Sequence, residues 1–238
     1  MKKLFLLGLL MIMSVCYIFG QGEALDAKKG FYIYLKGSKT AITENEYLNY
    51  AKVMEYNVYK KYINDEFEWH DQFQTLKKNF DNVIANVNFD ATYTVVTNVD
   101  FGDYDFTKEG FPVSIGEGTF FPLGDVDPYW RSSSGSIFRK AVALKLDGFE
   151  KYNFFTMPKD QAKTFLQGRK NSSGKVNRSI TLQIKYKIAS YDSAEYKSFA
   201  DLALQNNYLP IVGLIEDIEI FDASNSKDVK KIGSLIKN

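Results

Sequence analysis

Cysteine and histidine are almost absent from this chain of 238 residues, which contains one of each. A single cysteine excludes a disulfide within the chain. His70 alone cannot supply the three or four ligands of a zinc site unless acids provide the rest. A serine-dependent triad needs a serine on a tight glycine-led elbow, and residues 132–135 lack the leading glycine. We therefore predict no metal, no cofactor and no catalytic residue, and we expect His70 to lie at the surface or at the boundary of the core.

An excess of charge of either sign is also missing, since 30 Lys and Arg residues balance 29 Asp and Glu residues. The lysine pairs are scattered among acids, and arginine is scarce. A protein that binds nucleic acid or an anionic membrane surface concentrates basic residues in one patch. The composition therefore predicts no nucleic-acid partner.

The N-terminus has the layout of an export signal. Lys2 and Lys3 precede residues 4–19, which carry no charge. This run is shorter than the about 20 residues of a spanning helix, so we predict cleavage after Gly20 and no remaining transmembrane span. Lipid attachment at Cys16 is the alternative, although the residue before it is not small. A domain of this size without disulfides favours the bacterial envelope, in the periplasm or outside the cell.

Two helices are predicted within residues 21–90, after a short strand. The aromatic run 31–35 alternates apolar positions and indicates the strand. Thr43 and Asp65 are each followed three residues later by a glutamate, which is the spacing of a capping box at the start of a helix. Apolar residues recur at steps of three and four after each box. This period predicts two amphipathic helices that meet near Asn64.

The hydrophobic period changes from about 3.6 to 2 near residue 91, which predicts a β-rich region over residues 91–238. The clearest alternation places Leu182 and Ile184 on a core face and Gln183 and Lys185 on a solvent face. A sheet with one buried and one solvated face is typical of antiparallel strands. Antiparallel pairing is therefore expected.

A short helix over residues 159–167 and a long last strand over residues 211–221 complete the prediction. The predicted fold class is α+β, with an N-terminal helical pair packed with a mostly antiparallel β-sheet that forms a sandwich or a partly open barrel. We expect residues 21–238 to fold as one compact unit.

Three segments resemble an uncharacterised family of exported bacterial domains. They are Tyr104-Asp105-Phe106, Gly110-Phe111-Pro112 and the stretch from Met157 to Arg178 that leads into Ile180. The resemblance covers roughly the strand-rich half and implies export and a β-rich fold. Since the function of that family is unknown, the resemblance carries over no catalytic residue.

Acidic side chains offer another route to a metal or to catalysis. Four acids that lie close together in the sequence offer the oxygen ligands that calcium prefers, but they do not have the spacing of a calcium loop. These acids are Asp100, Asp103, Asp105 and Glu109. Glycoside hydrolysis needs two carboxylates across a cleft, and four acids lie in predicted loops: Glu109, Glu117, Asp125 and Asp127. Acids in loops are ordinarily solvated. A hydrolase therefore remains the alternative rather than the preferred function.

Residues 116–136 form a long segment without clear periodicity, and such segments often bind something. Five of its side chains are of types enriched at binding sites: Phe120, Phe121, Tyr129, Trp130 and Arg131. They either cap the sheet or contact a partner. We predict a non-catalytic binding or assembly module of the bacterial envelope, whose partner is an envelope protein or a glycan. The alternative is a carboxylate-dependent hydrolase that acts on envelope polysaccharide.

Overall fold

The computed structural model describes residues 23–116, 118–125, 141–189, 197–225 and 228–237. Within these residues, six α-helices and a mixed sheet that curves into a half-barrel form an α+β fold. The helices are α1 (Ala27–Ser38), α2 (Glu44–Met54), α3 (Tyr56–Tyr62), α4 (Glu66–Ala85), α5 (Lys159–Gly168) and α6 (Lys197–Gln205). None of these helices combines the length and the apolar composition that crossing a membrane requires.

Seven of the described strands form the main sheet, and two more form a small separate ladder. They are β1 (Glu23–Ala24), β2 (Tyr93–Asp100), β3 (Gly110–Pro112), β4 (Phe120–Asp125), β5 (Ala141–Asp147), β6 (Phe154–Thr156), β7 (Ser179–Ile188), β8 (Tyr208–Asp222) and β9 (Lys230–Ser234). The main sheet has the order β1-β2-β7-β8-β5-β4, with β9 beside the second half of β8, while β3 pairs with β6. Only the β1–β2 and β5–β8 pairs described are parallel. The predicted class, α+β with a mostly antiparallel and partly open barrel, is confirmed.

Helix α1 occupies the position of the predicted first strand, so the prediction for residues 31–35 is wrong. Asp26 caps this helix, because its Oδ1 accepts a hydrogen bond from the Lys29 backbone N–H at 2.7 Å. The five residues from Phe31 to Leu35 are all buried between the sheet and α4. A short run that is buried on all sides shows no helical period, and its aromatic residues are also typical of strands.

The two predicted helix starts, with Thr43 and Asp65 as N-caps, are confirmed. Thr43 Oγ1 and Asp65 Oδ1 each accept a hydrogen bond from the backbone N–H three residues later, at 3.3 Å and 3.0 Å. The first predicted helix is divided at Glu55 into α2 and α3. The Tyr47 hydroxyl of α2 donates a hydrogen bond to Asp81 of α4 at 2.7 Å, which helps to hold these two helices together.

Strand β7 keeps the predicted alternation on one face and departs from it on the other. Leu182 and Ile184 are fully buried, as predicted, and Lys185 is half-buried. Gln183 is also buried, although the sequence predicts exposure. Because β7 lies between β2 and β8, side chains on both neighbouring strands shield this short polar side chain from solvent.

The remaining predicted segments agree with the structure except in the long irregular region. Helix α5 and strand β8 match the predicted helix and last strand within a few residues. Part of the region predicted to be irregular forms β4, which pairs with β5. Pro122 and a register shift before Gly124 interrupt the alternation of β4. Proline is tolerated there because β4 lies at the edge of the described sheet.

A cluster of phenylalanines packs between the small β3–β6 ladder and α5. Its ring centroids lie 5.1 to 6.2 Å apart, and its members are Phe101, Phe111, Phe155 and Phe165. The Arg169 guanidinium lies 4.9 Å from the centroid of the Phe165 ring and pairs with Asp222. This buried ion pair attaches the end of α5 to the end of β8.

Candidate functional site

Strands β4, β5 and β8 form a part of the sheet that helices cover on both faces. On one face, Val142 and Leu144 of β5 are fully buried beneath α1. A Cβ atom on Gly30 of α1 would lie only 2.8 Å from Val142 Cγ1, so this close packing requires glycine. The opposite face of β5 carries Ala143 and Lys145, because side chains alternate along a strand. Helix α6 covers this second face.

Helix α6 does not close fully on the sheet, and a cleft of about 520 Å³ lies between the two layers. Phe199, Leu202 and Ala203 face the cleft from the helix, since positions i, i+3 and i+4 share one helical face. Ala143 lies at the sheet side, opposite this helix. Two alanines in facing layers leave the space that larger side chains would fill. The volume is within the about 300 to 1,000 Å³ that is typical of ligand sites.

Aromatic rings line one side of the cleft. Phe120 at the start of β4 and Tyr208 at the start of β8 meet edge to face, with ring centroids 5.6 Å apart. Phe120 remains 43% exposed, and Leu202 of α6 remains 59% exposed. The cleft is therefore an open apolar surface rather than a sealed cavity.

Lys145 supplies a positive charge to the cleft. Its Nζ lies 5.6 Å from the centroid of the Phe199 ring, which is a cation–π contact. Within the described part of the chain, no carboxylate pairs with Lys145. Lys187 of β7 provides a contrast, because its Nζ lies 2.8 Å from Glu216 Oε1. Among the described residues, Lys145 is thus a strand lysine whose ammonium contacts an aromatic ring and no carboxylate.

The predicted binding residues are divided by the structure. Phe120 lines the cleft, whereas Phe121 lies on the opposite face of β4 and packs against Phe149 at a centroid distance of 5.8 Å. Tyr129, Trp130 and Arg131 lie outside the described residues. The predicted contribution of these three residues to binding stays a prediction.

The acids that the sequence singles out do not line this cleft where their side chains are described. Glu109 is exposed in the turn before β3, Glu117 and Asp127 lie outside the described residues, and only the backbone of Asp125 is described. Two backbone N–H groups, of Lys108 and Thr107, hold the pKa of the Asp105 carboxyl below its usual range. That carboxylate is thus engaged within its own turn.

His70 is exposed on α4, as predicted. Among the described residues, no three side chains of the His, Cys, Asp and Glu types come together as a metal-binding group. A second cleft of about 580 Å³ lies beside the start of α1. There Lys29 pairs with Glu23 and lies 5.8 Å from the centroid of the Tyr93 ring. The charge of Lys29 is therefore already paired within the chain.

The chain was compared with known proteins. The model of a family described as a domain of unknown function, DUF4852, matches residues 43–168, which are more than half of the chain. The chain belongs to this family. The resemblance seen in the sequence is therefore confirmed as one to an uncharacterised family, and the match does not bear on export. No curated protein and no solved structure matches the chain.

The DUF4852 match extends from α2 to the end of α5. The match includes helices α2 to α4. It therefore begins nearer the N-terminus than the strand-rich half, which carries the resemblance described above. Phe120, Ala143 and Lys145 lie inside the matched residues, whereas α6 and β8 follow them. The DUF4852 region thus supplies Phe120, Ala143 and Lys145 of the sheet side, and the chain that follows supplies Tyr208 and the covering helix.

Sequence reasoning missed Lys145 and the whole of α6. The alternation of β5 predicts only that Lys145 lies on the more polar face of the strand. Whether a carboxylate pairs with Lys145 can be seen only in the tertiary structure. Helix α6 did leave a signal, because Phe199, Leu202 and Ala203 follow the spacing of an amphipathic helix.

Proposed function

We propose that this DUF4852 member is an exported bacterial envelope protein that acts as a non-catalytic binding module, with the cleft beneath α6 as its binding site. The observation that carries this proposal is the apolar lining of the cleft between two otherwise packed layers. Exposed aromatic and aliphatic side chains in a concave site favour a ligand that removes them from water.

The chemistry of the lining favours binding over catalysis. The described residues of the cleft include no aspartate, glutamate, histidine, cysteine or serine. Histidine and carboxylates are the commonest general acids and bases, and of the less common ones only Lys145 and Tyr208 lie among the described lining residues. The polysaccharide hydrolase remains the alternative, and it would need two carboxylates about 5 to 10 Å apart across a cleft.

The location in the envelope is part of the proposal and is supported by the sequence. Lys2 and Lys3 followed by the uncharged run 4–19 form the layout of a cleavable signal. The mature chain would then begin at Gln21, in the periplasm or outside the cell. Anchoring through a lipid on Cys16 is the alternative arrangement.

The segment that follows β4 is proposed to extend the binding surface. Phe120, at the first position of β4, already lines the cleft. Tyr129, Trp130 and Arg131 follow a few residues later in the chain. Aromatic and arginine side chains of this kind are suited to contact an envelope protein or a glycan.

A neutral fluorescent probe tests the cleft directly. N-phenyl-1-naphthylamine carries no charge, so its binding reports the apolar lining alone. We expect saturable binding to the wild type and affinity at least about tenfold weaker in Ala203→Leu, because the larger side chain fills the space. The thermal midpoint of Ala203→Leu should be unchanged or higher, since filling a gap does not remove a contact.

Gln205→Leu is the matched control, because it adds a leucine to an exposed position of the same helix that does not line the cleft. It should bind the probe as the wild type does. Equal binding to the wild type and to Ala203→Leu, or no saturable binding at all, would contradict the proposal.

A further inference from the structure

We infer that the ligand of the cleft is a small amphipathic carboxylate, with its apolar body against Phe120, Phe199 and Leu202 and its carboxylate on the Lys145 ammonium. This inference rests on the proposed function, because it names the class of ligand for the same site. It goes further by assigning the recognition of charge to one residue.

The first argument is the state of the Lys145 charge. Lysines elsewhere on the sheet have acidic partners, as Lys187 has in Glu216 and Lys231 has in Glu219, the latter at 2.6 Å. Among the described residues, the Lys145 ammonium has a cation–π contact with Phe199 and no ion pair. A half-buried ammonium at the edge of an apolar cleft is stabilised when an anion joins it there, because such a pair is less screened than one in open water.

The second argument is the position of Phe199 in the first turn of α6. The N-terminal end of a helix carries a partial positive charge from its free backbone N–H groups. Lys145 contacts a ring that the first turn of α6 carries, and the partial positive charge of that turn favours an anion in the same part of the cleft. The same arrangement gives an anionic head group two sources of attraction.

The third argument concerns the size and charge of the head group. The described lining offers one cationic side chain, which matches the single charge of a carboxylate better than the double charge of a phosphate monoester. Tyr208 also lines the cleft, and its hydroxyl makes no hydrogen bond within the described part of the chain. It is available to donate to the second carboxylate oxygen.

The apolar remainder of the lining sets the other half of the ligand. Phe120 and Leu202 are the exposed apolar side chains of the cleft, and a body of linked methylene groups or a ring would cover them. A purely polar anion would leave this surface in contact with water. The ligand must therefore be amphipathic.

A displacement experiment separates the head group from the apolar body. Decanoate and decan-1-ol, which share the same chain, compete with N-phenyl-1-naphthylamine for the purified protein. We expect decanoate to displace the probe at a concentration about tenfold lower than decan-1-ol, because one charge-assisted contact is lost in the alcohol. Lys145→Met should remove this difference, and Lys145→Arg should retain most of it.

Lys187→Met is the control for loss of a lysine from the sheet, and it should leave the preference for decanoate intact. Equal displacement by acid and alcohol in the wild type, or a preference that survives in Lys145→Met, would overturn the inference while the binding module stands. Tighter displacement by decyl phosphate would overturn the choice of carboxylate. Failure of the probe to bind the wild type would remove the proposed function together with the inference.

Discussion

Gly110 shows how a single residue fixes a contact between two chain segments. A Cβ atom at this position would lie 2.2 Å from the Phe155 carbonyl oxygen and 2.6 Å from Phe154 Cε1. The carbonyl belongs to a strand backbone and cannot rotate away. Glycine is therefore required by space at the first position of β3, where the β3–β6 ladder begins.

We expect Gly110→Ala to lower the free energy of unfolding by about 1 to 3 kcal/mol, the range for inserting a methyl group into a packed site. Gly168→Ala is the matched control, because a Cβ atom at that helix end meets nothing within 4 Å. It should be neutral or slightly stabilising, since alanine favours helix. Urea unfolding of both variants measures the difference, and equal effects would contradict the steric explanation.

Asp222 makes the free energy of unfolding depend on pH in the acidic range. Burial works against its ionised form, but hydrogen bonds from Ser224 and Arg169 outweigh burial and lower its pKa. A carboxyl whose pKa is lower in the folded state than in the unfolded state stabilises the fold when the pH is above its pKa in the unfolded chain, about 3.9. That stability is lost as the pH falls through the folded value.

We therefore expect the wild type to lose stability more steeply below about pH 4 than Asp222→Asn, whose side chain does not titrate. Asp228→Asn, which removes an exposed acid beside Lys230, should retain the wild-type slope. Urea unfolding between pH 3 and 7 measures these slopes. Parallel curves for the wild type and Asp222→Asn would show that the ion pair does not contribute to the pH dependence.

At the scale of elements, the helix starts were the most predictable features because each depends on a short local signal. Asp65 is the clearest case, since its side chain accepts the hydrogen bond that the capping box predicts.

We expect Asp65→Ala to lower the free energy of unfolding by about 1 kcal/mol, as one backbone N–H loses its partner. Asp71→Ala, an exposed substitution within the same helix, should have little effect. Thermal unfolding of both proteins provides the measurement, and equal losses would argue against a capping role.

Elements that lack a local signal were missed or misassigned. The run 31–35 is enclosed by α4 and the sheet, so burial on all sides erased the period that distinguishes a helix from a strand. Strand β4 was hidden by Pro122 and the register shift beside it. In the cleft, Phe120 could be picked out as a binding aromatic, but the role of Lys145 depends on which side chains lie near it in space. Local patterns cannot report such a neighbourhood.

At the scale of the whole molecule, the proposed export signal makes the most direct prediction. Protein recovered from the periplasm or the medium of an expressing bacterium should begin at Gln21 and carry no acyl chain. Leu9→Arg places a charge in the apolar run and should leave an uncleaved precursor in the cell. Intact mass spectrometry distinguishes these species. A diacylated chain that begins at Cys16 would contradict the prediction and favour a lipoprotein.

The alternation of apolar residues made the class of the fold predictable, but not the order of its strands. Residues 93–100 and 179–186 are far apart in the chain and pair along their full lengths. The parallel neighbours β5 and β8 are likewise joined only through a long intervening segment. Hydrophobic patterns identify the faces of a strand, whereas its neighbours are chosen by packing over the whole sheet.

The position of β7 and β8 in the sheet has a consequence for the timing of folding. These strands lie between β2 on one side and β5 on the other, yet they are among the last to leave the ribosome. Such non-local pairing slows folding, because β2 and β5 each lack one of their two neighbouring strands until β7 and β8 arrive. A fragment of residues 21–178 should therefore show no cooperative thermal unfolding by circular dichroism, whereas residues 21–238 should unfold cooperatively. A cooperative transition in the fragment would contradict this order of events.

For a chain that crosses a membrane unfolded, late pairing of β7 and β8 would keep the nascent polypeptide competent for translocation until its synthesis is almost complete.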